Sequence, residues 1–275
     1  MAAALSRSPL RRFLVASLLS LLLVGCERTP ESQKIVLTEV PSVLAPLEYP
    51  ADTYLAQLDR AVGQDEIDLQ LLAARAYVEA GQLQSSLAII EQLDKQQIND
   101  QSNAVKLLVK AQAFDAAGQT RQALELLQFD RSWDLDKEVV IQYFQQRAQL
   151  SIKLDDPLAA AEEYIRVDPL LEPDQQEQNH AQIWALLNSK DAMMLRSYKS
   201  EPAPSVVSGW FELAALTQEY SDNEQQLINS LGKWQQDYPQ HPSLQYLPAG
   251  LAAMMAAAPI AIEQLAVLLP MSGRY

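Results

Sequence analysis

The sequence predicts an all-α protein built as a solenoid of helix-turn-helix repeats. Glycine is scarce, at 8 of 275 residues, while alanine, leucine and glutamine are abundant, and this composition favours helices. Apolar residues recur with a helical period from residue 51 to about residue 258. Turn residues at Gly81, Gly118 and Asp155 follow one another at a constant interval of 37 residues. With 48% hydrophobic residues, the chain can bury a sizeable core.

Residues 1–25 have the pattern of a secretory signal, with three arginines, an apolar run over residues 13–24 and small residues at the cleavage point. The run is shorter than the ~20 apolar residues of a membrane-spanning helix. The only cysteine follows, and the segment Leu-Val-Gly-Cys ending at Cys26 resembles the lipobox of bacterial lipoproteins. That resemblance implies lipidation of Cys26, with a diacylglyceryl group on its thiol and a fatty acid such as palmitate on its new amine. The alternatives are an ordinary cleaved signal with a stray cysteine, or a cytoplasmic protein, which the polar switch at Glu27 disfavours.

The charge of the chain is strongly acidic. The formal net charge is −14, and it becomes −17 once the three arginines of the signal are removed. Such a surface disfavours nucleic acid and an anionic membrane face as partners, because both attract basic proteins. With one cysteine the chain cannot form an internal disulfide, so its stability must come from packing.

Residues 26–50 are predicted to form a lipidated tether. Four prolines between residues 30 and 50 interrupt any helix there. The apolar triplet Ile35-Val36-Leu37 either pairs as an edge strand or lies on the helical body, and the sequence leaves both possibilities open.

The helical domain is predicted over residues 51–258. A first helix over residues 51–62 places four apolar side chains on one face (Tyr54, Leu55, Leu58 and Val62). Asp65 can cap the second helix, which ends at Gly81, and residues 85–93 form its partner.

The same two-helix unit recurs twice. Residues 105–117 and 120–129 flank Gly118, and residues 143–154 and 157–167 flank Asp155. Small residues recur seven positions before each turn and five positions after it, and a third position holds an aromatic in two of the three units. These sets are Ala74, Ala111 and Ala148; Ser86, Ala123 and Ala160; and Tyr77, Phe114 and Ser151. The pattern resembles tetratricopeptide repeats, which are slightly shorter at ~34 residues.

The chain beyond residue 168 is predicted to be helical but off this period. Helices are expected over residues 175–187, 206–220 and 224–238, with Asp222 capping the last of these. A capping helix is expected within residues 243–259. Residues 262–269 are the one predicted strand, and a lone strand is not a stable element. Residues 259–275 are therefore expected to be the linker and first strand of a truncated second domain.

The candidate chemical residues predict no catalytic, metal or cofactor site. His180 is expected on a helix surface and His241 in a loop, without metal-ligand spacing around either. The adjacent acids Glu162 and Glu163 should point apart on a helix. No nucleotide-binding loop or nucleophile elbow is present, and Ser272 is expected to be a helix cap.

The tryptophans are the remaining candidates for a binding role. Trp210 and Trp234 have helical core spacing, which favours packing. Trp133 lies in a loop between two acids and is the best candidate for an exposed partner contact. The concave face of such a solenoid is the default binding surface.

The order of these features resembles one protein family. A lipobox precedes an acidic helical body, with the segments GWFELAAL (209–216) and KWQQDYPQHPSLQYLP (233–248) near its end, and LAVLLPMSG (265–273) is similar to the opening strand of type I periplasmic-binding-protein-like domains. Together they resemble the LpoA family of penicillin-binding protein activator lipoproteins of Gram-negative bacteria. The resemblance covers essentially residues 1–275.

The resemblance implies a regulator of peptidoglycan synthesis. Members lie on the inner leaflet of the outer membrane, and they bind and stimulate a bifunctional class A penicillin-binding protein without being enzymes. They use no cofactor, and we expect a monomer. Partner contact in the family is assigned mainly to the second domain, and Glu27 rather than aspartate after Cys26 favours the outer membrane. The alternatives are a helical scaffold lipoprotein for outer-membrane protein assembly and the helical part of a lytic transglycosylase.

Overall fold

A computed structural model describes residues 35–198, 200–247 and 249–257. The predicted signal, Cys26, the predicted strand at 262–269 and Ser272 lie outside the described residues. The chain divides into two compact units, Met1–Val36 and Leu37–Tyr275, and the following concerns the second.

The described part of this unit consists of helices, and none of its residues forms a strand, which confirms the all-α prediction. The α-helices are α1 (Ala51–Leu55), α2 (Gln64–Glu79), α3 (Leu83–Leu93), α4 (Asp100–Ala116), α5 (Thr120–Leu126), α6 (Lys137–Lys153), α7 (Pro157–Val167), α8 (Pro173–Leu187), α9 (Ala192–Ser197), α10 (Val206–Glu219), α11 (Glu224–Asp237) and α12 (Ala249–Ala256). Short 3₁₀ turns lie at Leu58–Arg60, Asp168–Leu170 and Pro242–Gln245. Among the helices described, none is both long enough and apolar enough to span a bilayer.

The three predicted repeats share one turn geometry. Gly81, Gly118 and Asp155 have φ values of 71°, 79° and 59°, all in the left-handed region. The N–H of the residue after each turn donates to the carbonyl five positions back, at 2.8 Å in the first repeat and 2.9 Å in the other two. This is the Schellman closure of a helix C-terminus. Aspartate tolerates the left-handed region better than most residues, which explains why it can stand in the third turn.

The small residues lie where the helices of each pair cross. The six positions named above as small (Ala74, Ala111, Ala148, Ser86, Ala123 and Ala160) are all 0% exposed. Ser151, the departure from the aromatic pattern, is also buried. These recurring positions are therefore all inside the packed repeats.

Part of the predicted tether belongs to the helical body. Apolar side chains of residues 37–49 pack against the first core, and Val43 is buried in it. Arg75 of α2 donates to the carbonyl oxygens of Val43 and Ala45, the latter at 3.0 Å. The boundary predicted at residue 50 is therefore too late, because the prolines that exclude a helix do not prevent apolar side chains between them from being buried.

Several helix boundaries differ from prediction, since α4 begins at Asp100 rather than residue 105 and α6 begins at Lys137 rather than residue 143. The first helix ends at Leu55 rather than Val62, and Val62 is 81% exposed. Gly63, with φ 63°, is the N-cap of α2, so Asp65 lies in the first turn instead of capping it. The left-handed Gly63 redirects the chain between the two helices and prevents one continuous apolar face.

The later helices form two further cores. Trp210 anchors one with α8 and α9, and Trp234 anchors the other with α12, whose Leu251 and Met255 are buried. The predicted core roles of both tryptophans and the predicted helix within 243–259 agree with this packing. Asn223 rather than Asp222 caps α11, since its side chain accepts from the N–H of Gln226 at 3.1 Å. Helix α9 was not predicted.

Candidate functional site

An open groove of about 1040 Å³ is lined by the first helix of each repeat, α2, α4 and α6, and by α8. The turn at residues 42–45 closes part of it. The groove lies along the first helices of the repeats, where a solenoid offers its default binding surface.

The 37-residue repeat generates the lining of this groove. Two sets of residues, each with one member per helix, line it at this constant interval; we call them the first and the second row. The first row is Gln64, Gln101, Glu138 and Gln175, and the second row is Asp68, Val105, Gln142 and Asn179. Helix α8 therefore begins on the period, and the prediction that it is off period is wrong. The period is lost after α8, since α10 begins at Val206, 33 residues after Pro173 at the start of α8.

Side-chain amides are the commonest groups in the lining, and at α2 and α4 they are paired with one another. Gln64 donates to Asp68 at 2.7 Å and to Ser102 at 2.9 Å, and Asn99 donates to Gln64 at 3.0 Å. Partial burial is the main reason that the pKa of the Asp68 carboxyl is raised. Gln101 similarly bonds Asp136 on the next repeat. This part of the groove is pre-organised by bonds between repeats.

Four amides of α6 and α8 are available. Gln142 and Gln145 on α6 and Gln178 and Gln182 on α8 line the groove without a side-chain hydrogen bond to any part of the chain that the structure describes. An amide carries donor and acceptor atoms side by side, so each can pair with a peptide group or a hydroxyl. The available hydrogen-bonding capacity is thus concentrated at one half of the groove.

The charge of the lining is acidic. Lys137 is the one basic side chain among the described lining residues. The lining also contains four carboxylates, those of Asp68, Asp136, Glu138 and Glu172. Lys137 binds Glu172 at 2.8 Å and lowers the pKa of that carboxyl. Glu138 is exposed and has no ion pair within the described residues. The groove therefore carries a net negative charge.

His180 is buried, so its predicted place on a helix surface is wrong. It is 2% exposed, its Nε2 lies 2.8 Å from Asp168, and Asn179 donates to the same carboxylate at 2.8 Å. His180 shares a helix face with Ile183 and Leu187, which are also buried. That spacing is the sequence signal that could have identified it.

His241 lies in the predicted loop but is 5% exposed. Its Nε2–H donates to the carbonyl of Val206 at 2.9 Å, and its Nδ1 accepts from the N–H of Ser243 at 3.3 Å. Its ring packs edge-on against Trp210 and Trp234. Burial lowers the pKa of His241 to about 4, so the imidazole is neutral at pH 7. In the residues described, no cluster of three metal-ligating side chains occurs.

Residues 47–275 match the model of the LppC putative lipoprotein family. The chain belongs to this family. It is 29% identical over 269 residues to the penicillin-binding protein activator LpoA of Vibrio cholerae, a match that covers 98% of this chain and 44% of the relative. The LpoA of Photobacterium profundum is 27% identical, with 98% and 43% covered. The chain thus spans less than half the length of these curated relatives.

Solved structures of LpoA share the fold of this LppC-family chain. The amino-terminal domain of E. coli LpoA superimposes with a TM-score of 0.56 at 24% identity, covering 74% of this chain and 91% of that one. A full-length LpoA from Haemophilus influenzae gives 0.51 at 22% identity, covering 78% and 39%. The likeness supports the helical-solenoid fold.

Trp133 of the LppC-family chain is half-buried. Its ring packs edge-on against Phe129 at 6.0 Å and Tyr143 at 5.9 Å, and it belongs to the periphery of the first core. Packing therefore accounts for much of this side chain, and its partner contact stays a prediction.

The adjacent acids Glu162 and Glu163 of α7 are both buried. They bind different arginines: Glu162 pairs with Arg166, and Glu163 pairs with Arg147 of α6 at 2.6 Å. Arg147 also donates to the carbonyl of Leu127. Oε2 of Glu163 has no hydrogen-bond partner among the described residues. The two acids diverge as predicted: Glu163 connects α7 to α6, while Glu162 pairs within α7.

Proposed function

We propose that this LppC-family chain acts in the regulation of peptidoglycan synthesis. In this proposal it is a non-enzymatic outer-membrane lipoprotein that binds a bifunctional class A penicillin-binding protein and stimulates its transpeptidase activity. The observation that carries the proposal is the match of 98% of the chain to proteins named penicillin-binding protein activators. The helical-solenoid fold, with a groove suited to binding and no metal cluster in the described residues, is consistent with a regulator.

The lipid anchor is a second part of the proposal. The description of the family as a putative lipoprotein supports the assignment of Cys26 as the acylated residue. Anchoring would hold the acidic helical body in the periplasm beside the outer membrane. The acidic charge suits this arrangement, since anionic lipid headgroups would repel the body rather than adsorb it.

Binding to a synthase tests the first part. Purified chain lacking residues 1–26 would be immobilised and exposed to class A penicillin-binding proteins, and the fraction of cross-linked peptides made by the synthase would be measured with and without the chain. The LpoA of Vibrio cholerae serves as the positive control. We expect binding and an increased cross-linked fraction; neither effect, with the control active, would show that the proposal is wrong.

Fractionation tests the anchor. The chain expressed in a Gram-negative host should incorporate labelled palmitate and sediment with the outer membrane. Cys26→Ala should lose the label and become soluble in the periplasm. A label retained in this variant would exclude Cys26 as the acylated residue.

Trp133→Ala tests the proposed contact in the same binding assay. A partner contact predicts weaker synthase binding at an unchanged melting temperature. A lower melting temperature with unchanged binding would assign Trp133 to packing alone.

A further inference from the structure

We infer that the groove between α2, α4, α6 and α8 binds an extended polypeptide segment that carries lysine or arginine side chains. The inference concerns the groove itself and does not depend on whether the partner is a penicillin-binding protein.

Helix α2, which lines the groove, already binds main-chain groups of a non-helical segment. The turn at residues 42–45 forms part of the lining, and Arg75 of α2, which lies outside the lining, donates to two carbonyl oxygens of this turn. These contacts recognise backbone atoms rather than particular side chains. The same wall of the solenoid is therefore suited to chain that is not in a helix.

The available amides suit a partner with unpaired polar groups. Gln142 and Gln145 on α6 and Gln178 and Gln182 on α8 line the groove and make no side-chain hydrogen bond in the described chain. The main-chain N–H and C=O groups of a helix are paired internally, so a helical partner would leave these amides unused. An extended segment presents alternating N–H and C=O groups, which side-chain amides can both accept from and donate to.

The negative charge of the lining and its shortage of aromatic rings indicate which kind of extended partner fits the groove. Glu138 follows the paired Gln64 and Gln101 in the first row and lies one helical turn before the available Gln142, and the acids of the lining outnumber its lysine. A cationic side chain on the occupant would compensate this charge. Tyr164 is the one aromatic side chain among the described lining residues, so the groove offers little of the stacking surface that sugar rings use.

The span of the groove determines how long a bound peptide segment should be. Helices α2 and α4, and α4 and α6, pack as neighbours. Packed helices lie about 8–10 Å apart, so three steps from α2 to α8 span at least roughly 27 Å. A chain in strand conformation rises ~3.3 Å per residue, and about eight or nine residues fill this span. The probe should therefore be a nonapeptide.

Selection from a random nonapeptide library displayed on phage tests the inference, with the whole mature chain as the target. We expect enriched peptides that are rich in lysine or arginine and poor in acids. The double variant Gln142→Ala/Gln178→Ala should raise the dissociation constant of an enriched peptide at least tenfold. Gln149→Ala is the matched control, because Gln149 is an exposed glutamine on α6 outside the groove, and it should change the constant less than twofold.

A second pair of variants distinguishes the effect of a carboxylate in the groove from the effect of the protein's overall negative charge. Glu138→Gln and Glu177→Gln each remove one exposed carboxylate, in the groove and outside it respectively. We expect Glu138→Gln to weaken binding several-fold more than Glu177→Gln. Equal effects of the two variants, no enrichment of basic peptides, or binding of soluble glycan strands in place of peptides would each overturn the inference. Melting curves of all variants verify that they are folded.

Discussion

At Gly209, α10 closely approaches the loop after α11. A Cβ atom at this position would lie 2.5 Å from Cδ2 and 2.6 Å from Nε2 of His241. The carbonyl of Gly209 also accepts a hydrogen bond from Trp234 at 2.9 Å. The absence of a side chain at Gly209 is thus what lets the His241 ring reach the carbonyl of Val206.

Gly209→Ala is expected to destabilise the protein. The added methyl group must displace the His241 ring, and such overpacking costs about 1–3 kcal/mol. Urea denaturation measures the loss. Gly250→Ala is the control, because a Cβ atom on Gly250 of α12 would meet no atom within 4 Å, and alanine should raise the stability by up to ~1 kcal/mol. Equal effects of the two variants would contradict the packing argument.

The buried His241 makes stability depend on pH. Its pKa is lowered from 6.5 to about 4 by burial, so the unfolded state binds more protons between these values. Stability is fully present above about pH 6.5 and is lost as the pH falls towards 4. The proton would have to enter at Nδ1, which already accepts an N–H.

We expect the free energy of unfolding to fall by about 2 kcal/mol from this residue between pH 7 and pH 5. Urea titrations at both pH values measure the change. His241→Gln removes the titrating group and should reduce the difference between the two pH values by that amount. An unchanged difference in the variant would assign the acid sensitivity to other groups.

The two histidines also show what a sequence pattern reveals about single residues. The alanines at the helix crossings were predictable because the same position recurs in three repeats. His180 was misplaced because imidazole is compatible with surface or core, and its burial depends on a carboxylate at Asp168 that comes from another element. His241 precedes proline in a loop, where no periodicity indicates burial.

The turns of the repeats are the elements whose sequence is most restricted. Gly118, with φ 79°, has no atom within 4 Å of the position of a Cβ, so any effect of substitution there is due to the backbone. Gly118→Ala should therefore cost about 1 kcal/mol. Asp155→Gly should have the opposite effect and stabilise the protein by up to ~1 kcal/mol, because Asp155 has φ 59°. Thermal melting should show a lower melting temperature for Gly118→Ala and a higher one for Asp155→Gly. A lower melting temperature of Asp155→Gly would show that the Asp155 side chain is needed for stability.

The ion pair between Arg147 and Glu163 connects α6 to α7 inside the protein. Arg147→Ala leaves Glu163 buried without its partner, and such changes cost about 3–5 kcal/mol. The double variant Arg147→Met/Glu163→Leu should recover most of this loss, because it removes both charges and keeps apolar volume. Denaturation of the single and double variants measures the difference. A double variant as unstable as the single one would show that the contact of Arg147 with Leu127 dominates.

Element boundaries were predictable where a local residue determines them. Pro157 begins α7, Ser205 caps α10, and glycine ends α2 and α4. Helix α9 was missed because its six residues are too few for a period to emerge. Asp222 and Asn223 are adjacent, and both residue types cap helices well. The sequence therefore does not indicate which of them caps α11.

The segment before α1 is attached to the helical body by side-chain packing and by hydrogen bonds to its main chain. Residues 37–49 contribute to the first core, and Arg75 fixes their main chain. Arg75→Ala should release this segment, lower the melting temperature and accelerate hydrogen exchange in residues 37–50. Arg60→Ala is the control, since Arg60 is exposed and makes no ion pair among the described residues. Equal exchange in both variants would show that apolar packing alone holds the segment.

The sequence could predict that a concave groove exists, but not which residues line it. A solenoid implies a concave face, and the period of 37 residues was visible in the turns. The rows along the groove recur at the same interval, yet their members change from glutamine to glutamate and from aspartate to valine, so no shared residue type marks them. Only the packed helices show that these positions have a common face.

The shared turn geometry has a consequence for how the protein can change in length. Because Gly81, Gly118 and Asp155 close their helices in the same way, an insertion or deletion of one complete 37-residue block joins compatible ends. Each added block contributes one residue to the first row and one to the second. The span of the groove can therefore change in whole repeats, while an insertion or deletion of another size within a helix would shift the residues that this helix presents to the groove.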